Sequence, residues 1–238
     1  MARRMSTYQK PRVQTNKVQN GTKGDPIFDT FQSTFIPFTL NNERLELAMR
    51  HAGCALLQLI GPSFLISHSI SAIFSVLMSD ECPDLVEGNI SIEPANTPFE
   101  TYIGNTTSAV ERIAARPYGL SVTPLAYDPP INSSSEISQV TVGVDTFANH
   151  SCILQAEPAK QLPNLAKVPY VAFTGDASPH ITDDHCVISF LNQAGVATDW
   201  VKLGDIGIHG NGHFMTLKLN NLDIAAVVQE WIEGVVKR

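Results

Sequence analysis

The sequence has no run of about 20 uninterrupted apolar residues, the length an α-helix needs to cross a bilayer, so no membrane span is read from it. Nor does it open on a secretory leader, because the charged N-terminus has no apolar core behind it. Basic side chains are outnumbered, 16 against 23 acidic ones, for a net charge of −7. Without a concentrated positive field, a nucleic-acid partner is excluded. Arg3, Arg4, Lys10, Arg12, Lys17 and Lys23 cluster at the start and read as a solvated basic tail. No two cysteines form a C-x-x-C pair, which removes the usual zinc motifs. Internal repeats and low-complexity tracts are also missing.

What is present suits a folded chain. Hydrophobic residues make up 43% and charged residues 16% of 238, enough to bury one substantial core. Asn20, Asn89, Asn105, Asn132 and Asn149 each open an N-x-[ST] sequon, where composition alone gives about two. Cys54, Cys82, Cys152 and Cys186 can form two disulfides. Sequons and cysteines point to a secretory origin for a longer form and the missing leader does not, so the sequence assigns no compartment.

Residues 1–38 read as an irregular N-terminal or cap segment, with a turn near Gly21–Pro26 and Phe28, Phe31, Phe35 and Phe38 behind it to dock on a core or line a pocket. Residues 39–238 read as the main domain. A helix is expected over 43–60, with Leu45, Met49, Ala52, Leu56 and Ile60 on one stripe, Glu43 and Glu46 favouring the N-terminal dipole, and Gly61-Pro62 as the stop. Phe64–Ile66, Asn89–Ile92, Val168–Phe173 and Thr198–Leu203 read as strands. Helices are expected after Ser69, from about Thr182 to Ala194, and from an Asn221 cap that buries Leu222, Ala225, Val228, Trp231 and Ile232. This alternation predicts an α/β fold with a mostly parallel, doubly wound sheet flanked by helices. Residues 95–167 interrupt it with weak strand signals at Gln139–Val144 and Ser151–Gln155, and read as a lid-like insertion.

Ser67-His68-Ser69-Ile70-Ser71 stands between a strand and a helix. In a nucleophile elbow the serine sits on a strained strand-to-helix turn, and the next backbone N–H, here that of Ile70, faces the developing oxyanion. The neighbours two positions away must be small; serine stands at both where glycine is usual. A serine needs a histidine base, and the base needs an orienting carboxylate. The glycine-rich segment Gly207-Ile208-His209-Gly210-Asn211-Gly212-His213 precedes the final helix, with His213 preferred and His209 in reserve. For the acid, Glu93 ends the strand after the elbow, where a carboxylate points into the crevice. Asp176, Asp183 and Asp184 follow the next-to-last strand and stand in reserve, the latter two already explained as a helix first turn. His180, Asp183, Asp184 and His185 read as a polar loop and helix start rather than metal ligands.

At these residues the chain resembles a family of fungal and bacterial α/β-hydrolases, esterase-like enzymes whose triad acid follows the strand after the elbow. The resemblance runs from about Gly21 to the C-terminus. It is carried by Gly24-Asp25-Pro26 with Phe28-Asp29, Ile60-Gly61-Pro62, Ser67-His68-Ser69, Ile92-Glu93-Pro94, Arg116-Pro117-Tyr118-Gly119-Leu120, Tyr127-Asp128-Pro129-Pro130, Leu162-Pro163-Asn164 and the segment Gly207–His213 with Asn220-Asn221. It implies Ser69 as nucleophile, Glu93 as acid and His213 as base. Ile70 departs from the pattern, since glutamine is common there. Members carry about four strands before the region where this chain begins, and a loop among them supplies the second oxyanion N–H. The expectation is therefore a partial α/β-hydrolase fold that looks N-terminally truncated, with an unpaired apolar edge on the elbow strand.

The leading expectation is a serine hydrolase acting on a small carboxylic ester or lactone, with Phe28, Phe31 and Tyr127 in the substrate pocket. No cofactor and no metal are implied. The rival is a catalytically impaired remnant that binds a ligand or partner, the exposed edge being covered by a second copy or another chain. A truncated product that does not fold stably is the third reading.

Overall fold

The computed structural model describes residues 22–35, 41–94, 96–106, 109–146 and 148–237. The chain divides between Thr39 and Leu40 into two units. In the first, Pro26–Ser33 (α1) is helical rather than irregular: Asp25 caps it by accepting from the Ile27 and Phe28 N–H groups, and Pro26 holds the first turn. Phe31 and Phe35 meet edge to face at 4.9 Å. Phe38 and Asn20 lie outside the described residues.

The second unit begins with Asn42–Ile60 (α2) and continues through Ser63–His68 (β1), Ala72–Glu81 (α3) and Val86–Ile92 (β2). Glu100–Thr106 (β3), Ala109–Ala114 (β4), Gln139–Val142 (β5) and Cys152–Gln155 (β6) follow, then Tyr170–Thr174 (β7), Asp184–Gln193 (α4), Thr198–Lys202 (β8) and Asn221–Val236 (α5). The main sheet has the order β1-β2-β7-β8, and every neighbouring pair in it is parallel. Along β7 the side chains alternate between two cores: Tyr170 and Ala172 pack with Ile73, Val76 and Val187 from α3 and α4, while Val171 and Phe173 pack with Ile224 and Val228 from α5. Helices on both faces explain why this strand is apolar throughout. Among the described residues β1 pairs with β2 alone.

Two helical stripes differ from expectation. In α2 the buried face is Glu46, Arg50, Gly53, Cys54 and Leu57, while Met49, Leu56 and Ile60 are exposed. The polar members are buried because each is satisfied at long range. Glu46 is no dipole partner here: its carboxylate accepts from the Val122 and Thr123 N–H groups and the Thr123 hydroxyl. Arg50 donates to Asp80 at 2.9 Å and to the Pro124 carbonyl, and Cys54 is bonded to Cys82. In α5 the buried positions are Ile224 and Val228, with Trp231 and Ile232 half-buried; Leu222 and Ala225 face solvent.

Residues 95–167 contain two antiparallel pairs, β3 with β4 and β5 with β6. Phe99, Leu120, Leu125, Tyr127, Ile137, Leu154, Leu162 and Leu165 from this segment share the core of α3 and α4. A second disulfide, Cys152–Cys186, fastens β6 to α4. Asn89 is buried at the heart of β2, 2% exposed, which removes it as a glycan acceptor, whereas Asn132 and Asn149 are exposed.

Candidate active site

β1 ends at His68, and the chain turns at once into the short helical stretch Ser69–Ser71 that leads into α3. Ser69 takes φ 59, the left-handed region that strains a residue with a Cβ. Serine is accommodated at both flanking positions by hydrogen bonding. Ser67 Oγ lies 3.0 Å from Ser75 Oγ on α3 and donates to the Ile90 carbonyl; Ser71 Oγ accepts from the His68 N–H and donates to the His68 carbonyl. The Ile70 N–H belongs to the first helical turn, where backbone donors have no partner within the helix.

His213 arrives on the loop before α5, and its Nε2 is 2.9 Å from Ser69 Oγ. Glu93, the residue after β2, is fully buried and also takes a positive φ of 53. One of its oxygens accepts from the Gly175 N–H at 2.7 Å and the other from the Ser178 hydroxyl. The second oxygen stands 3.6 Å from His213 Nδ1, an ion-pair separation too long for a hydrogen bond. His213 Nδ1 is accordingly buried without a hydrogen-bond partner.

The reserve residues form pairs of their own. His209 Nδ1 is 2.9 Å from Asp176 on the surface, and Asp176 also accepts from the Gly210 N–H. The hydrogen bond from His209 chiefly holds the Asp176 carboxyl below its usual range. Asp183 pairs with His150; burial raises its carboxyl, against the pull of His150. Asp184 is buried against Thr174 at 2.5 Å, and burial raises its carboxyl well above the usual value. None of these addresses Ser69.

Two histidines not singled out for the site flank His213. His68 Nε2 lies 2.8 Å from the His213 carbonyl oxygen, and both His68 and His180 bring ring centroids to 4.7 Å from that of His213. Burial, reinforced by the charges of His213 and His68, lowers His180 to about 4. His68 was within the elbow motif itself; His180 was read from sequence only as part of the polar loop and helix start after β7. Tyr127 is 5% exposed in the core, with its hydroxyl donated to the Tyr118 carbonyl. Phe28 and Phe31 belong to the first unit. A cavity of about 10 Å³ at the start of α3 is lined by residues that include Ala72, Ile73, Pro94, Asn96, Leu120 and Val187.

A parallel sheet flanked by helices on both faces, with a strained serine between strand and helix, is the architecture of the α/β-hydrolase fold. The chain is 34% identical over 214 residues to a protein described as "Probable secreted lipase phiG" from Fungal sp. (strain ATCC 74256), a match covering 90% of this chain and 57% of that protein. The chain thus spans little more than half the length of that relative. No family model matches. Solved structures similar to it include a bacterial esterase (19% identity, 77% of this chain and 42% of that one, TM-score 0.46). Another is a monoacylglycerol lipase from Paleococcus ferrophilus (13%, 79% and 74%, TM-score 0.42).

Proposed function

We propose that the chain is a serine hydrolase cleaving a small carboxylic ester or lactone through Ser69, His213 and Glu93. The observation that carries the reading is the 2.9 Å contact between Ser69 Oγ and His213 Nε2 at a strained elbow. A serine hydroxyl is a weak nucleophile until a base takes its proton. Ser69 attacks the carbonyl carbon as His213 Nε2 accepts that proton, and the imidazolium later returns it to the leaving alcohol. Glu93, on the Nδ1 side, orients the ring and stabilises its charge. Its two donors, Gly175 and Ser178, fix the carboxylate without neutralising it. The 3.6 Å gap closes as charge develops, since such contacts often tighten in the reacting complex. The Ile70 N–H and the N-terminal end of the helix hold the oxyanion.

The relative's description as a lipase adds lipid esters to the candidates. Leu120 and Asn96 line the cavity at the start of α3, so the insertion serves as a fixed wall more than a hinged cover. A second reading, a binding protein that has lost catalysis, is favoured by the open Glu93–His213 gap and by the exposed Ile66 on the edge strand. Labelling of the purified chain with a fluorophosphonate separates the two. Labelling abolished by Ser69→Ala and by His213→Ala supports the hydrolase; a folded, monodisperse chain that never labels refutes it in favour of the binding reading.

A further inference from the structure

Glu93, His180 and His213 each offer one ligand atom, and these atoms lie within 4.8 Å of one another. Two imidazoles and a carboxylate are a donor set that suits zinc or copper rather than calcium or magnesium. Each donor has capacity to spare. The Glu93 oxygens accept one hydrogen bond apiece, where a carboxylate oxygen has two lone-pair sites. His213 Nδ1 is buried without a partner. Among the described residues, the His180 ring makes no hydrogen bond; only its backbone is held, the N–H donating to Ser178 Oγ and the carbonyl accepting from the Asp183 N–H. By contrast the other such cluster, Cys152, His185 and Cys186, has its sulfurs consumed in a disulfide.

Ligands on one tetrahedral zinc stand about 3.3–3.5 Å apart, as follows from bonds of ~2.0–2.2 Å. Contraction from the present spacing falls to His180, which sits on the single turn Pro179–Thr182 and is half-buried. Glu93 cannot move: it is fully buried and clamped by two donors. The fixed members are therefore the residues of the proposed triad, and the adaptable one lies outside it.

We propose that Glu93, His180 and His213 form an inhibitory site for a divalent transition ion, zinc or copper, that competes with the proton His213 must carry. The inhibition rests on the hydrolase reading; the binding does not. An ion on His213 Nδ1 leaves the ring proton on Nε2, which then has no lone pair to take the proton of Ser69, and it ties the ring to Glu93 and His180, so Ser69 has no base while the ion is bound.

The test titrates zinc chloride into the full chain by calorimetry, beside Ser69→Ala, His180→Gln, His213→Ala and His209→Gln. We expect one zinc per chain, retained in Ser69→Ala and in His209→Gln, and at least about tenfold weaker binding in His180→Gln, the lower end for loss of a supporting group. A melting curve of each variant confirms folding, and His213→Ala makes the same point should His180→Gln not fold. Zinc should also block fluorophosphonate labelling of the parent chain, with recovery on adding a chelator. No binding below about 1 mM, a level weaker than ~4 kcal/mol, or binding indifferent to both His180→Gln and His213→Ala, overturns the site. Zinc that binds there while labelling proceeds overturns the inhibition. A chain that never labels defeats the hydrolase reading, and the calorimetry still decides the site.

Discussion

Gly175→Ala introduces a methyl group where the loop carrying His213 already stands. A Cβ on Gly175 would lie 2.1 Å from the Asn211 carbonyl oxygen and 2.7 Å from its carbon. Both are backbone atoms, so no rotamer change relieves the clash. Gly175 is not among the residues with positive φ, so the effect is steric rather than conformational. Ordinary contact requires about 3.5 Å, and the β7 turn, the loop or both must separate by roughly 1.4 Å to reach it. Asn211 is two residues from His213, whose Nε2 is 2.9 Å from Ser69 Oγ. Passing most of that shift along the loop breaks the contact. A misplacement of about 1 Å can slow a reaction about 10²-fold, equivalent to ~2.7 kcal/mol on the barrier. Overpacking should in addition lower stability by about 1–3 kcal/mol. The assay is the second-order rate of fluorophosphonate inactivation, with urea unfolding measured in parallel. A rate and a midpoint both indistinguishable from the parent chain would refute the argument that this close approach sets the histidine.

Three further outcomes follow from the packing. Glu46→Ala leaves the Val122 and Thr123 donors without an acceptor and should lower stability by about 3 kcal/mol; a change under ~0.5 kcal/mol in urea unfolding would contradict the assigned role. Replacing Cys54 and Cys82 by serine opens a link between residues 28 apart, for which loop entropy gives roughly 3–4 kcal/mol of lost stability, read from the same denaturation with the second disulfide intact. His180, lowered to about 4 by burial and by His213 and His68, stays neutral in the folded chain while the unfolded chain takes up a proton below about 6.5. The unfolded state then binds more protons, so His180 makes stability fall as pH drops from about 6.5 towards 4. Discounted for its partial exposure, the effect is about 1–2 kcal/mol, seen as the difference between parent and His180→Gln pH profiles, since the raised carboxyls of Asp183 and Asp184 act in the opposite sense in both.

The sheet was legible because its strands are buried on both faces, and a segment such as Tyr170–Phe173 is apolar without interruption. The elbow was legible because strand, small residues and helix follow each other in five positions. The α2 stripe was not, since its buried face includes Glu46 and Arg50, and the partners that satisfy Glu46 are 76 and 77 residues away. Local periodicity scores such residues as solvent-facing, and the apolar Leu56 and Ile60 as core. The β3–β4 hairpin escaped for a related reason: Glu100 is buried near Arg112 at 3.5 Å, which places charges where an alternating pattern expects apolar side chains. Tyr127 was ambiguous in principle, because an aromatic in an insertion suits a pocket and a core equally.

The turn after β7 carries the reserve acid of the commoner position. Asp176 stands there, yet its carboxylate faces His209 and the Gly210 N–H, and so grips the outer part of the histidine loop. The same turn supplies the Gly175 and Ser178 donors that hold Glu93, while the Ala177 N–H binds the Asn211 carbonyl at 3.1 Å. One short segment thus positions both partners of the proposed proton relay and contributes no side chain to it. A carboxylate buried as fully as Glu93 needs such donors in place of water, and an acid projecting inward from this turn would have set a second carboxyl group beside it. The bare backbone of Gly175 is what allows the turn to meet Glu93 and Asn211 at once.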